Sequence, residues 1–509
     1  MRSIITSIVC LLALEQGFCQ GSISQSTSNS QVTYWASNNG VMFNNPAPGS
    51  TGGYFIPKDS LVSAIFGMFP MVIAADANGQ LKGAVAKYQS SDFFPGPIAT
   101  DYNAPEFTSG GFALSMWSMT KATVDNHIAH YMDAGYVPHP SISAWPGNGN
   151  TANGQSLHLA PFYDYDSDDQ YEPEQGDYPL ILGDKATYVI LNDSKGIHPS
   201  GINPMKLEMH LMYYQYENAS DPVLTQTTFV QTKLYNRGTI DLNNLRFGHI
   251  IDFDLGNPLD DYIGTNVAQQ MAYVYNGDLN DESFSGNPGY GLNPPALGVI
   301  SLDGNLTSNV PVQTATYPST GMNYYYLMNG YDINGNQLFD DSGMPTTYIF
   351  NESGASGWNE VTESNMPGDR LSASGHAVLF NFPPGASVVY NHAVVYARSN
   401  EGTIFASVDS LFEVAAHIRE FYDSTASLQV DELKLSDLDI LIYPNPAKDQ
   451  IRIDGLTAGT YRIINPEGKE ILAGSMENGI IRIDSLNNGF YILEITSGGK
   501  YDRKSFIKE

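Results

Sequence analysis

From Val32 onward the chain is written in short apolar runs that stop at Gly, Pro, Asn or Asp. Met209 to Tyr216, Thr227 to Tyr235, Leu245 to Phe253 and Ala386 to Ala397 are rich in Tyr, Phe, Val and Ile, residues that fit a pleated, half-buried surface. Asn236-Arg237-Gly238 and Pro383-Pro384-Gly385 interrupt them with turn chemistry. This texture predicts a mainly β protein, a large antiparallel β-sandwich body with a few helices. Two segments carry helical spacing instead. Thr120 to Asp133 repeats Val124, Ile128, Tyr131 and Met132, and Ser407 to Tyr422 repeats Leu411, Val414, Ala415, Ile418 and Phe421.

The first residues have a different design. Arg2 precedes an eleven-residue apolar stretch, Ile4 to Leu14, followed by a small or polar exit, the layout of a secretory signal peptide over residues 1–20. The stretch falls short of the roughly 20 residues a membrane helix needs, and no other segment approaches that length, so no membrane span is expected in the mature chain. Cleavage is expected near Cys19 to Gly21, with lipidation of Cys19 the lesser alternative because Phe18 sits where a small residue is wanted. Both cysteines, Cys10 and Cys19, lie in this leader. The mature chain therefore has no disulfide framework, no Cys-based zinc site and no Cys nucleophile. Residues 21–31 are Ser, Gln, Asn and Thr and read as a flexible mature N-terminus.

Charge divides the chain further. The whole carries 24 Lys and Arg against 54 Asp and Glu, a net of −30. Residues 437–509 hold 9 and 11 of these, net −2, which leaves 15 and 43, net −28, to the rest. Such a body repels nucleic acid and anionic membrane and would attract cations, although acidity that only keeps an exported protein soluble is the simpler reading of composition. Its β-rich part spans 32–425, as one unit or two subdomains, and the polar stretch 426–437 reads as a linker.

Residues 438–509 form a series of short strands. Tyr443-Pro444-Asn445-Pro446 is a rigid turn, and Ile451 and Ile453 alternate with charged neighbours. Turn signals recur every eight to twelve residues, the pattern of a small Ig-like β-sandwich. Tyr443 to Pro446, Gly459-Thr460-Tyr461, Gly489-Phe490-Tyr491-Ile492-Leu493 and the closing Lys504-Ser505-Phe506-Ile507-Lys508 together resemble the type A C-terminal sorting domain of the type IX secretion system. The resemblance implies a Bacteroidetes source, engagement of the type IX machinery through residues 438–509, and passage through the periplasm to the outer-membrane surface or the medium. Within the body, Ser91 to Pro97, Leu159 to Phe162, Asp252 to Tyr262 and Met366 to Arg370 resemble uncharacterised surface proteins bearing the same tail, a group that implies no activity.

Two acidic segments carry candidate chemistry. In the loop Asp164-Tyr165-Asp166-Ser167-Asp168, carboxylates at positions 1, 3 and 5 could converge on Ca²⁺, a hard cation that takes about six to eight oxygens. Gln170 would add its carbonyl, and Glu172 and Asp177 would complete the shell. Asp169 stands where an EF-hand has its turn Gly, so a merely solvated acidic loop is the alternative. The second segment is Asp252, Asp254, Asp260 and Asp261. Alternation puts Asp252 and Asp254 on one face, and Asp252, Asp254 and Asp261 are the candidates for a general acid/base pair acting on a glycan. Turn and capping roles around Gly256-Asn257-Pro258 compete with that reading. Asp332 to Asn336 with Asp340 and Asp341 has weaker metal-loop spacing, since Asn334-Gly335 is also a hairpin turn.

His127 and His130, three apart on the first predicted helix, lack the Glu and spacing of a zinc pair and read as structural. Trp35, Trp117, Trp145 and Trp358 could stack on sugars, although a sandwich needs aromatic core. The sequence thus predicts an exported, calcium-stabilised binding or adhesion module for polysaccharide or another cell-surface ligand. A secreted glycan hydrolase is the alternative.

Overall fold

The computed structural model describes residues 24–429 and 442–508 apart from short internal stretches, the longest being 352–356 and 465–469. The predicted leader and most of the predicted linker lie outside the described residues. Two antiparallel sheets face each other in the body. One has nine strands, running in space through Asp261–Asn266, Met271–Asn276, Ala296–Ser301, Ser387–Ala397, Thr228–Asn236 and Leu207–Gln215 to Lys185–Asn192, with Phe94–Pro95 and Trp117–Thr120 on its far edge. The other has six, in the order Leu306–Val312, Arg370–His376, Leu242–Phe253, Gly67–Ala75 and Leu81–Val85, with Leu379–Phe382 also paired to Leu242–Phe253.

Alternation along the strands sorts side chains into layers. Leu207, Met209, Leu211 and Tyr213 join Phe247 and Ile251 of the facing sheet in one core, while Met212 and Tyr214 point the other way into a second. The nine-strand sheet is therefore covered on both faces, and Leu207–Gln215 is buried along its whole length. Its outer face is roofed by the helix Ala406–Gln429, whose Val408, Leu411, Ala415 and Ile418 are fully buried there. Burial on both faces explains why these strands read as apolar runs without clean alternation.

Three boundaries differ from expectation. The closing helix runs past Tyr422 to Gln429, into the stretch read as linker, and just ahead of that stretch Thr425 donates its hydroxyl back to the Phe421 carbonyl at 3.0 Å. A polar residue that satisfies itself on the preceding turn does not have to end a helix. The first of the two predicted helices is observed as Lys121–His130, starting where Thr120 caps the Thr123 amide. The N-terminal stretch expected to be flexible instead holds the strand Ser24–Ser28, paired with Thr33–Ser37. Asn29 anchors it by donating to the carbonyls of Thr225 at 2.7 Å and Tyr216 at 3.1 Å. Polar side chains hold this edge, so it carries no apolar signature.

Residues 442–508 form a seven-strand antiparallel sheet, ordered Ile442–Tyr443, Gln450–Ile453, Ile480–Arg482, Glu470–Glu477, Ala458–Ile464, Gly489–Ser497, Lys500–Lys508. It has its own core of Ile451, Ile453, Ile463, Leu493, Ile495 and Phe506. Among the described residues no helix is long and apolar enough to cross a membrane.

Candidate functional site

The strand Leu242–Phe253 ends in Asp252-Phe253 and Asp254 follows directly, with Phe253 fully buried and both aspartates turned to the opposite face. The neighbouring strand Arg370–His376 pairs Phe253 with Arg370. Continuing that register by one step sets Asp369 opposite Asp254. Asp252, Asp254 and Asp369 each offer a carboxylate oxygen, and the three oxygens lie within 4.8 Å of one another. They line a cavity of about 980 Å³ together with Phe66, Tyr88 and Tyr317.

The aromatic side of the cavity is tightly built. Tyr88 packs on Phe69 with ring centroids 4.5 Å apart and on Tyr317 at 5.5 Å. Its hydroxyl donates to Asp252 Oδ2 at 2.5 Å, while the buried Tyr317 hydroxyl has no hydrogen-bond partner among the described residues. Burial and the nearby Asp369 charge push the Asp252 carboxyl up to about 7, despite the stabilising Tyr88 donor. Asp254 is pushed well above the usual range by desolvation and by Asp252 and Asp369.

Asp261, the third residue singled out in this segment, sits elsewhere. It is fully buried, and its Oδ2 accepts from the Leu255 amide at 3.0 Å, bracing the turn that follows Asp254. Asp281 accepts from the amides of Asn257 and Tyr290 and closes the same turn. Gly256 is required there: its φ is +81°, and a Cβ would lie 1.8 Å from Asp281 Oδ2. Asp260, pushed up to about 7 by burial and the Asp281 charge, accepts from Asn257 Nδ2. The acidic segment thus divides into a pocket pair and turn braces. Asp369 joins that pair from 115 residues away, a partnership that only strand register reveals.

In the other acidic loop, Asp164, Asp166 and Asp168 bring one oxygen each within 4.8 Å of one another. Asp164 also accepts from the amides of Ser167 at 2.7 Å and Asp169 at 2.8 Å. Asp169 takes the left-handed turn itself, at φ +65°, a conformation Asp tolerates better than most residues. The other three candidates are arranged differently. Asp177 is buried and accepts from Tyr165 and Glu172 amides, Glu172 accepts from Gln175, and Gln170 donates its amide to Asp168. Asp332 and Asp340 accept amides from their own hairpin turns.

His127 is buried between Tyr136 and the Asp177 carbonyl, and exposed His130 meets Asp133 at 2.8 Å. Trp145 is buried and donates to the Pro161 carbonyl. None of the four tryptophans is exposed.

No curated protein matches the chain in sequence. Among solved structures, a polysaccharide lyase matches 65% of the chain at 10% identity and a TM-score of 0.18, and the chain spans 37% of that protein's length. PorZ, described as a surface component of the type IX secretion system of Porphyromonas gingivalis, matches 96% of the chain and 70% of its own length, at 10% identity and a TM-score of 0.13. Likenesses this slight define neither the fold nor the activity of the body. The tail is different: its strand order and separate core coincide with a family match at residues 441–509, and that segment is a secretion system C-terminal sorting domain.

Proposed function

We propose that the residues before the tail form a ligand-binding body, exported through type IX secretion and delivered to the cell surface or the medium. In this reading Asp252, Asp254 and Asp369 hold a Ca²⁺ ion, and the ion together with the Tyr88 and Tyr317 wall receives a hydroxyl-rich ligand such as a polysaccharide. The supporting observation is convergence: three carboxylate oxygens within 4.8 Å of one another, opening on a cavity large enough for a sugar. A hard cation relieves their mutual repulsion and leaves coordination positions for ligand hydroxyls. The Asp164, Asp166 and Asp168 loop is a second, stabilising Ca²⁺ site of the same design.

Hydrolysis of a glycan is the competing reading, favoured by the Asp252 carboxyl held near neutrality. A hydrolytic pair straddles the bond it cleaves, roughly 5 Å or more apart, whereas Asp252 and Asp254 project from one strand end.

A polysaccharide array probed with the full chain separates the two readings. Binding should require Ca²⁺, fall at least about tenfold in Asp254→Asn, and survive in Asp166→Asn, which should lose part of the Ca²⁺-dependent gain in melting temperature instead. Binding indifferent to both EDTA and Asp254→Asn would sink the proposal. Release of reducing ends that persists in EDTA would replace it with the hydrolase.

A further inference from the structure

The face of Leu242–Phe253 turned away from the pocket carries His249 into the space between the two sheets. There it meets His376, at the end of the adjacent strand, and His392, from Ser387–Ala397 of the facing nine-strand sheet. All three are buried, and one ring nitrogen from each lies within 4.8 Å of the others. His376 and His392 share a hydrogen bond between their Nε2 atoms at 2.9 Å. Neither nitrogen of His249, nor Nδ1 of His392, has a hydrogen-bond partner among the described residues.

Buried polar atoms are ordinarily paired, so a buried imidazole with both nitrogens unpaired, set against two further imidazoles, calls for an occupant. We propose that His249, His376 and His392 bind one imidazole-preferring transition-metal ion, Zn²⁺ or Cu⁺, which ties the two sheets of the body together.

Three features fit this site. Zn–N bonds of about 2.0–2.1 Å place tetrahedral ligands about 3.3 Å apart, so the His376 and His392 nitrogens need to part by only a few tenths of an ångström. His376 Nδ1 lies 3.0 Å from Asn305 Oδ1, the outer partner that orients a ligating histidine and leaves Nε2 free for metal. Phe247, packed 4.7 Å from His249 and 4.6 Å from Tyr390, closes the site in apolar surroundings and favours ligand sets without carboxylates. With both cysteines in the predicted leader, such an ion would do the cross-linking that a disulfide does in other exported proteins.

The test is metal content and ligand identity in the purified full chain. After loading with Zn²⁺ or Cu⁺ and removal of excess, one ion per chain should remain, and Co²⁺ in its place should show the visible band of tetrahedral nitrogen ligation. The relative retention of the two ions tells which is preferred. His249→Phe should abolish retention, while the double variant Asp252→Asn/Asp254→Asn should keep it. If His249→Phe does not fold, X-ray absorption of the loaded wild-type chain reads the ligands directly, and three imidazoles are expected. No retained ion, retention in a folded His249→Phe, or an oxygen-only shell would each overturn the proposal.

Discussion

One twelve-residue strand, Leu242–Phe253, serves two clusters of opposite character. His249 points between the sheets, among Phe247, Tyr390 and two other imidazoles, while Asp252 three residues later points into an open cavity beside Asp254 and Asp369. Burial disfavours the charged form at both places, lowering the imidazole values and raising the carboxyl ones. Their surroundings differ in what can relieve that cost. The histidines are buried in the core, and beyond the Asn305 contact of His376 they can be satisfied only by one another or by an ion. The aspartates have an open side through which a solvated ligand can arrive. Odd and even positions along one strand and its immediate continuation therefore separate a structural cluster from a recognition cluster.

The sharpest way to break this comparison is to make the same truncation on both sides. Phe247→Ala opens a void in a fully buried core and should cost about 3–5 kcal/mol of stability. Phe66→Ala, on the half-exposed cavity wall, should cost less than half as much. Equal losses in urea unfolding would mean that the cavity wall is as much a part of the core as the inter-sheet layer. A smaller effect is expected from Tyr88→Phe, which removes the donor to Asp252 but keeps the ring packed on Phe69. It should lower stability by about 1–2 kcal/mol and weaken ligand binding several-fold. A neutral outcome in both readouts would detach Tyr88 from the site.

The mildest test concerns pH. Asp260 and Asp281 are held up to about 7 and about 6, above their unfolded values. The fold thus favours their protonated forms, and the associated stability is complete below about pH 4 and lost as pH rises toward 7. Asp260→Asn retains an oxygen that can accept from Asn257 and removes one of these titrations. It should raise the melting temperature by about 1–3 °C at pH 8 and leave it unchanged at pH 4. A gain of the same size at pH 4 would point to a packing effect.

The β-rich body, the two longer helices and the tail were legible because each rests on local pattern: short apolar runs, helical spacing, and turns at regular intervals. The pairing of Asp252 with Asp254 was also local, since alternation alone puts them on one face. Asp369 was not legible as their partner, because it reaches them through the antiparallel register of a strand more than a hundred residues on. The histidine cluster escaped for the same reason doubled: His249, His376 and His392 come from three strands and two sheets, and each alone resembles an ordinary core histidine. Asp261 was misleading in the opposite sense, being adjacent in sequence to the site yet committed to the Leu255 amide.

The roofing helix fixes where the body can be divided. Among the described residues, a chain cut just after Gln429 keeps the side chains that cover the nine-strand sheet, and detaches the sorting domain with its own separate core. A chain cut ahead of Ala406 would bare Ala393, Val395, Ala397, Met271 and Ile300 as one continuous sticky strip. The margin between a clean release and an aggregating fragment is a single helix, directly upstream of the segment that precedes the tail.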